Sequence, residues 1–174
     1  LYTDLFCAAD DFMIKELLPR RVPRDHIAVT GIPVREGFDE EHDTVAIRER
    51  FSLPQDKMIA LVMAGAKYSE PYFPFRRIVE PMFGELSNFL DMHFVFLAGE
   101  DYTYAEHLKQ VFKERGITNV SVFNYVEDMV DLMSASDLIV AKSGGLAVTE
   151  CICARLPLIL VGKSYGQERA NTYT

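Results

Sequence analysis

Leu138-Ile-Val-Ala-Lys-Ser-Gly-Gly-Leu-Ala-Val-Thr-Glu150 is a short apolar run that passes through Ser143, Gly144 and Gly145 into an amphipathic stretch. Four apolar residues that run through Lys142 into a Ser-Gly-Gly turn read as a buried strand, and Ala147, Cys151 and Ala154 read as the apolar stripe of a helix. The same pattern recurs along the chain. Met58 to Ala64 stops at Gly65, Phe94 to Ala98 at Gly99 and Leu156 to Val161 at Gly162, with a further run at Val120 to Val126. Helices are expected between them at Pro74 to Leu90, Tyr104 to Arg115, Asp128 to Ser134 and Gly145 to Ala154. Strands that are apolar throughout must be covered on both faces, which means parallel pairing through right-handed crossovers. The fold class is therefore α/β: a Rossmann-like parallel sheet with helices on both faces.

Before this pattern begins, Asp4 to Ala9 reads as a strand, Asp11 to Leu18 as a helix stopped by Pro19, and His26 to Thr30 as a second strand. Gly31-Ile32-Pro33 and the polar stretch from Glu36 to Asp43 follow, then a short helix over Val45 to Phe51. This places a domain junction near residue 42, with 1–42 as the tail of a preceding domain plus linker and 43–174 as the main domain. Residues before Leu1 are expected, and Gln167 to Thr174 read as the opening of a further helix.

With 174 residues, 49% hydrophobic and 25% charged, the chain has the composition of a globular domain. Its net charge of −8 argues against a nucleic-acid partner, whose binding rests on Lys and Arg neutralising phosphates, and against docking onto anionic lipid through this part of the chain. The apolar runs are too short for a membrane span and the N-terminus lacks a signal-peptide pattern, so the expected compartment is cytoplasmic. Cys151 and Cys153 point to different helix faces and cannot pair; with Cys7 they read as small buried apolar residues. His26, His42, His93 and His107 are scattered without metal-ligand spacing, and no metal is expected.

Ligands of open parallel sheets bind beyond the carboxyl ends of the strands. The turn Ser143-Gly144-Gly145 leads straight into a helix, so unpaired N–H groups and the positive dipole end face that crevice. Phosphate binding and an ordinary Ser143 cap in a tight turn fit this segment equally. Glu150 lies about 7.5 Å along the helix from Gly145 and borders the apolar stripe. There a carboxylate suits the two hydroxyls of a ribose, against the plainer alternative of a solvated helix Glu. Gln167, Glu168 and Asn171 suit hexose hydroxyls or mark helix-start polarity. Met63-Ala-Gly-Ala-Lys67 has one glycine where a dinucleotide fingerprint has three, which speaks against NAD. Tyr68, Tyr72, Phe73 and Phe75 read as packing residues in preference to an acceptor-facing loop.

Taken in order, Ala141-Lys142-Ser143-Gly144-Gly145 with Glu150, then Leu156-Pro157-Leu158-Ile159-Leu160, then Gly166-Gln167-Glu168 with Asn171, resemble the C-terminal domain of glycosyltransferase family 28. Thr30-Gly31-Ile32-Pro33-Val34 is similar to the family's interdomain linker. Met63-Ala-Gly-Ala66 and Gly166-Gln167-Glu168 are nearer the diacylglycerol branch than the peptidoglycan branch, although Ser143 and Ala147-Val148 depart from the lipid-branch pattern. The resemblance implies two Rossmann domains, a UDP-hexose donor, a lipid acceptor such as diacylglycerol, inverting transfer, and neither metal nor cofactor. It implies uracil against the backbone at Asn124, Tyr125 and Val126, pyrophosphate at Gly65, Ser143, Gly144 and Gly145, ribose on Glu150, and hexose on Gln167, Glu168 and Asn171. The acceptor site, the catalytic base and the membrane-contacting surface would belong to the N-terminal domain, and the intact enzyme would sit on the inner face of the cell membrane. A nucleotide-sugar-binding subunit that needs a membrane partner, and a UDP-N-acetylhexosamine epimerase, are the alternatives.

Overall fold

The computed structural model describes residues 3–63 and 72–161, with side chains from residue 76 onward in the second stretch. The chain divides into two units, Leu1–Val34 and Arg35–Thr174.

In the first unit, β1 (Phe6–Ala8) and β2 (Ile27–Val29) pair in parallel, with α1 (Asp11–Leu17) between them. Asp10 caps α1 by accepting from the Met13 N–H at 3.0 Å. Pro19 ends the α-helical turn, and a 3₁₀ turn over Leu18–Arg20 follows it.

The second unit opens with α2 (Thr44–Arg50), capped by Asp43. It continues β3 (Met58–Met63), α3 (Tyr72–Val79), β4 (Met92–Leu97), α4 (Tyr102–Glu114), β5 (Val120–Phe123), α5 (Met129–Ser134), β6 (Leu138–Ala141), α6 (Gly145–Cys153) and β7 (Leu158–Leu160). Among the described residues the strands form one parallel sheet in the order β5-β4-β3-β6-β7. The chain starts at the centre, runs outward through β4 to β5, then returns to lay β6 against the other edge of β3. The direction of winding reverses between β3 and β6, the place where an open parallel sheet holds its ligand crevice.

Alternation along β3 explains its unbroken apolar run. Ala60 and Val62 face a core with Phe83, Phe96, Leu108 and Phe112, while Ile59, Leu61 and Met63 face another with Val95, Leu132, Ile139 and Cys151. Each face packs against apolar side chains, so neither parity has room for a polar residue. Arg48 of α2 closes the base of the sheet. Its guanidinium donates to the Ala135 and Lys57 carbonyls and to Asp137, which itself accepts from the Ile59 N–H at 2.7 Å.

Three details differ from the sequence expectations. The helix expected over Pro74 to Leu90 is α3 followed by a 3₁₀ stretch, Glu80–Asn88, because Pro81 has no N–H and disfavours the α conformation at Glu80. β5 stops at Phe123, not Val126: its partner β4 ends at Leu97, before Gly99 at φ +61°, so residues 124–126 leave the sheet. Cys151 is buried, but Cys7 and Cys153 are exposed; Cys153 lies on the helix face opposite the core. The compact units divide after Val34, and residues 35–42 are held on the second unit through Arg35, Gly37 and His42.

Candidate functional site

A cleft of about 340 Å³ lies at the carboxyl ends of the strands, over the switch between β3 and β6. Met63 and Leu97 form its apolar floor, where their strands end. One wall is Asn124, Tyr125 and Val126, the segment that left the sheet after β5. Tyr125 is 55% exposed, so its ring stands free to cover a ligand. The buried side-chain oxygen of Asn124 has no hydrogen-bond partner among the described residues.

The opposite wall is the turn from β6 into α6. Lys142, Gly144 and Gly145 line the cleft. The helix cap is Gly144, with φ −69° and ψ 131°, and this cap residue makes no side-chain bond to the first turn. The helix begins one residue later than the alternative of an ordinary Ser143 cap requires, and Ser143, at 4% exposure, is buried beside the turn. With a glycine at the cap position, the first-turn N–H groups meet the cleft with no Cβ between them.

Glu150 is one turn into α6, lines the cleft and is 4% exposed, so the solvated-Glu alternative is ruled out. Burial pushes its carboxyl above the ordinary range, and the Arg35 guanidinium partly offsets this with a 2.9 Å hydrogen bond from Nη1 to Oε1. Arg35 itself is half-exposed. A carboxylate positioned by a cation at a cleft wall can accept vicinal hydroxyls, and the guanidinium beside it attracts an anion.

Near Gly99, Asp101 accepts from the Tyr104 N–H at 2.9 Å and pairs with Arg76, whose guanidinium lies 3.6 Å from the Tyr104 ring centroid. Burial acts to raise the Asp101 carboxyl, but Arg76 and the Tyr104 N–H together hold it below the ordinary range. The group locks α3 to α4 beside the cleft floor.

The cleft thus joins Tyr125, Val126, Gly144, Gly145 and Glu150 among the residues read from sequence, with Ser143 buried next to them. Gly65, Gln167, Glu168 and Asn171 lie outside the described residues, as do Tyr68 and the side chains of Tyr72, Phe73 and Phe75. Arg35 and Lys142 were not singled out from sequence. Arg35 directly follows the Gly-Ile-Pro-Val linker motif, and the need of a buried Glu150 for a cation was the available signal. Among the described residues no three His, Cys, Asp or Glu side chains group to hold a metal, and no helix is long and apolar enough to cross a membrane.

The fold defines a Rossmann-like α/β domain with a cleft at its switch point. The family model described as the glycosyltransferase family 28 C-terminal domain matches residues 61–172, and the chain belongs to this family. Among curated relatives, the processive diacylglycerol beta-glucosyltransferase of Staphylococcus carnosus is 31% identical over 87% of this chain, which spans 37% of that protein. Among solved structures, UDP-GlcNAc 2-epimerase from Neisseria meningitidis bound to UDP-GlcNAc superposes with a TM-score of 0.68 at 16% identity, over 97% of this chain and 46% of that one. Anabaena Alr3699/HepE in complex with UDP-glucose gives 0.58 at 12% identity, over 90% and 44%.

Proposed function

We propose that the chain is the donor-binding part of a glycosyltransferase that moves a hexose from UDP to a membrane lipid, with diacylglycerol as the acceptor. The observation that carries this reading is the pairing, in one cleft, of a glycine helix start at Gly144 and Gly145 with the buried Glu150 one turn away. That spacing suits a diphosphate joined to a ribose. The name of the Staphylococcus carnosus relative supports the acceptor.

In this reading uracil rests against Asn124, Tyr125 and Val126, the diphosphate against Gly144 and Gly145 with Gly65 and Ser143, and the ribose on Glu150. Gln167, Glu168 and Asn171 hold the hexose. Arg35 and Lys142 supply positive charge near the diphosphate in a chain of net charge −8. The backbone N–H groups at the start of α6 stabilise the charge that develops on the UDP leaving group, so neither metal nor cofactor is needed. Residues 1–42 are the tail of an acceptor-binding domain and its linker, whose last residues, 35–42, pack on the donor domain, 43–174. The base that deprotonates the acceptor hydroxyl then comes from that other domain, and inversion follows from a single displacement. The intact enzyme works on the cytoplasmic face of a membrane, bound peripherally.

Calorimetric titration of this chain with UDP is the direct test. Saturable binding is expected, and the absence of heat and of a thermal shift at millimolar UDP would sink the reading. A donor screen on the full-length enzyme, with diacylglycerol in micelles, identifies the hexose.

A further inference from the structure

Arg35 meets Glu150 from a half-exposed position, and a flexible side chain so placed takes its geometry from the backbone that carries it. Two contacts fix that backbone to α5, away from the cleft. Gly37, at φ +104°, lies so close that a Cβ there would sit 3.4 Å from Val130 Cγ1. His42 Nε2 donates to the Gly37 carbonyl at 2.8 Å, and Nδ1 stands 3.3 Å from Asp131 Oδ1. The imidazole is largely buried. Asp131 is gripped from its other oxygen by Arg50 of α2 at 2.7 Å. Residues 37–42 are thereby closed into a loop clasped to α5, and Arg35 emerges from it two residues before the clasped carbonyl.

We propose that His42 is a positioning residue for nucleoside-diphosphate binding: by clasping the Gly37 carbonyl to Asp131 it aims Arg35 at Glu150, although it does not line the cleft itself. The proposal rests on the reading of the cleft as a UDP site. Without the clasp the loop gains conformations, Arg35 spends less time beside Glu150, and ordering it again costs binding free energy.

The test is a double-mutant cycle read by calorimetric UDP titration of the protein and its His42→Ala, Arg35→Ala and doubly substituted forms, with thermal melts alongside. Residues coupled through a shared backbone shift interact measurably, so His42→Ala is expected to weaken UDP binding about fivefold in the parent and less than about twofold in the Arg35→Ala background. His42→Gln, which keeps a donor for the Gly37 carbonyl, should recover part of the loss. Where His42→Ala fails to fold, Asp131→Ala removes the α5 end of the same clasp and takes its place in the cycle. Equal losses in both backgrounds, or an unchanged affinity, would overturn the proposal while leaving the UDP site intact. A parent that does not bind UDP would overturn the site reading and the proposal with it.

Discussion

A carboxylate that is 4% exposed at the wall of an open cleft must be held by a neighbour, and Arg35 does so at 2.9 Å. Hydrogen bonds to a charged group are worth about 1.5–3 kcal/mol, against about 0.3–1 for a helix-dipole contact. Glu150→Ala should therefore weaken UDP binding more than Ser143→Ala; calorimetry giving the reverse order would remove Glu150 from the ribose. The raised Glu150 carboxyl also predicts a pH dependence. Between the ordinary Glu range and its higher folded-state value, the folded protein binds more protons than the unfolded one, so this group's contribution to stability falls as pH rises through that window. Urea melts should show Glu150→Gln gaining on the parent as pH goes from 4 to 7. UDP affinity should run the other way, weakening on acidification from above pH 4.5, since only the ionised form accepts both ribose hydroxyls. Glu150 was legible in the sequence because helical phase placed it beside Ala147 and Cys151. Arg35 was not, because its partner lies 115 residues away and periodicity carries no information over that distance.

For single elements, the outcome turned on glycine and proline positions. The strand-to-helix turn at Ser143-Gly144-Gly145 was readable from residue type, but its cap was not, since a shift of one residue exchanges Ser143 for Gly144. Pro81 was in plain view, yet the amphipathic pattern ran through it. Gly144→Asp should separate capping from binding. An acidic cap improves on glycine by only a few tenths of a kcal/mol, so the melting temperature should barely move. The added negative charge at the helix start should cost UDP affinity about tenfold or more, by competing for the N–H groups a phosphate needs. An unchanged affinity would place the diphosphate elsewhere. Phe83 lies between Phe96 and Phe112, at ring-centroid distances of 5.4 and 4.8 Å, and is 1% exposed. Truncating it to Ala should destabilise by about 3–5 kcal/mol in denaturant melts with UDP affinity of the folded fraction unchanged.

Across the whole molecule, the parallel character of the sheet followed from apolar strands with no polar face. The order β5-β4-β3-β6-β7 did not, because apolar parity says how many faces are covered and nothing about which strand lies alongside. UDP at a hundred times its dissociation constant should raise stability by about 2.7 kcal/mol, and the same shift is expected after dialysis against EDTA. Loss of the shift with chelator would bring a metal into the mechanism. The central position of β3 also affects how the chain is made. Its β6-side contacts include the bond from the Ile59 N–H to Asp137, 78 residues downstream. At ordinary synthesis rates of ~5–20 residues per second, a nascent chain carries this apolar strand with one bare edge for roughly 4–16 s. Any shortened version ending before Ala141 would keep that edge bare permanently, so recombinant fragments should be soluble only when they run past β6.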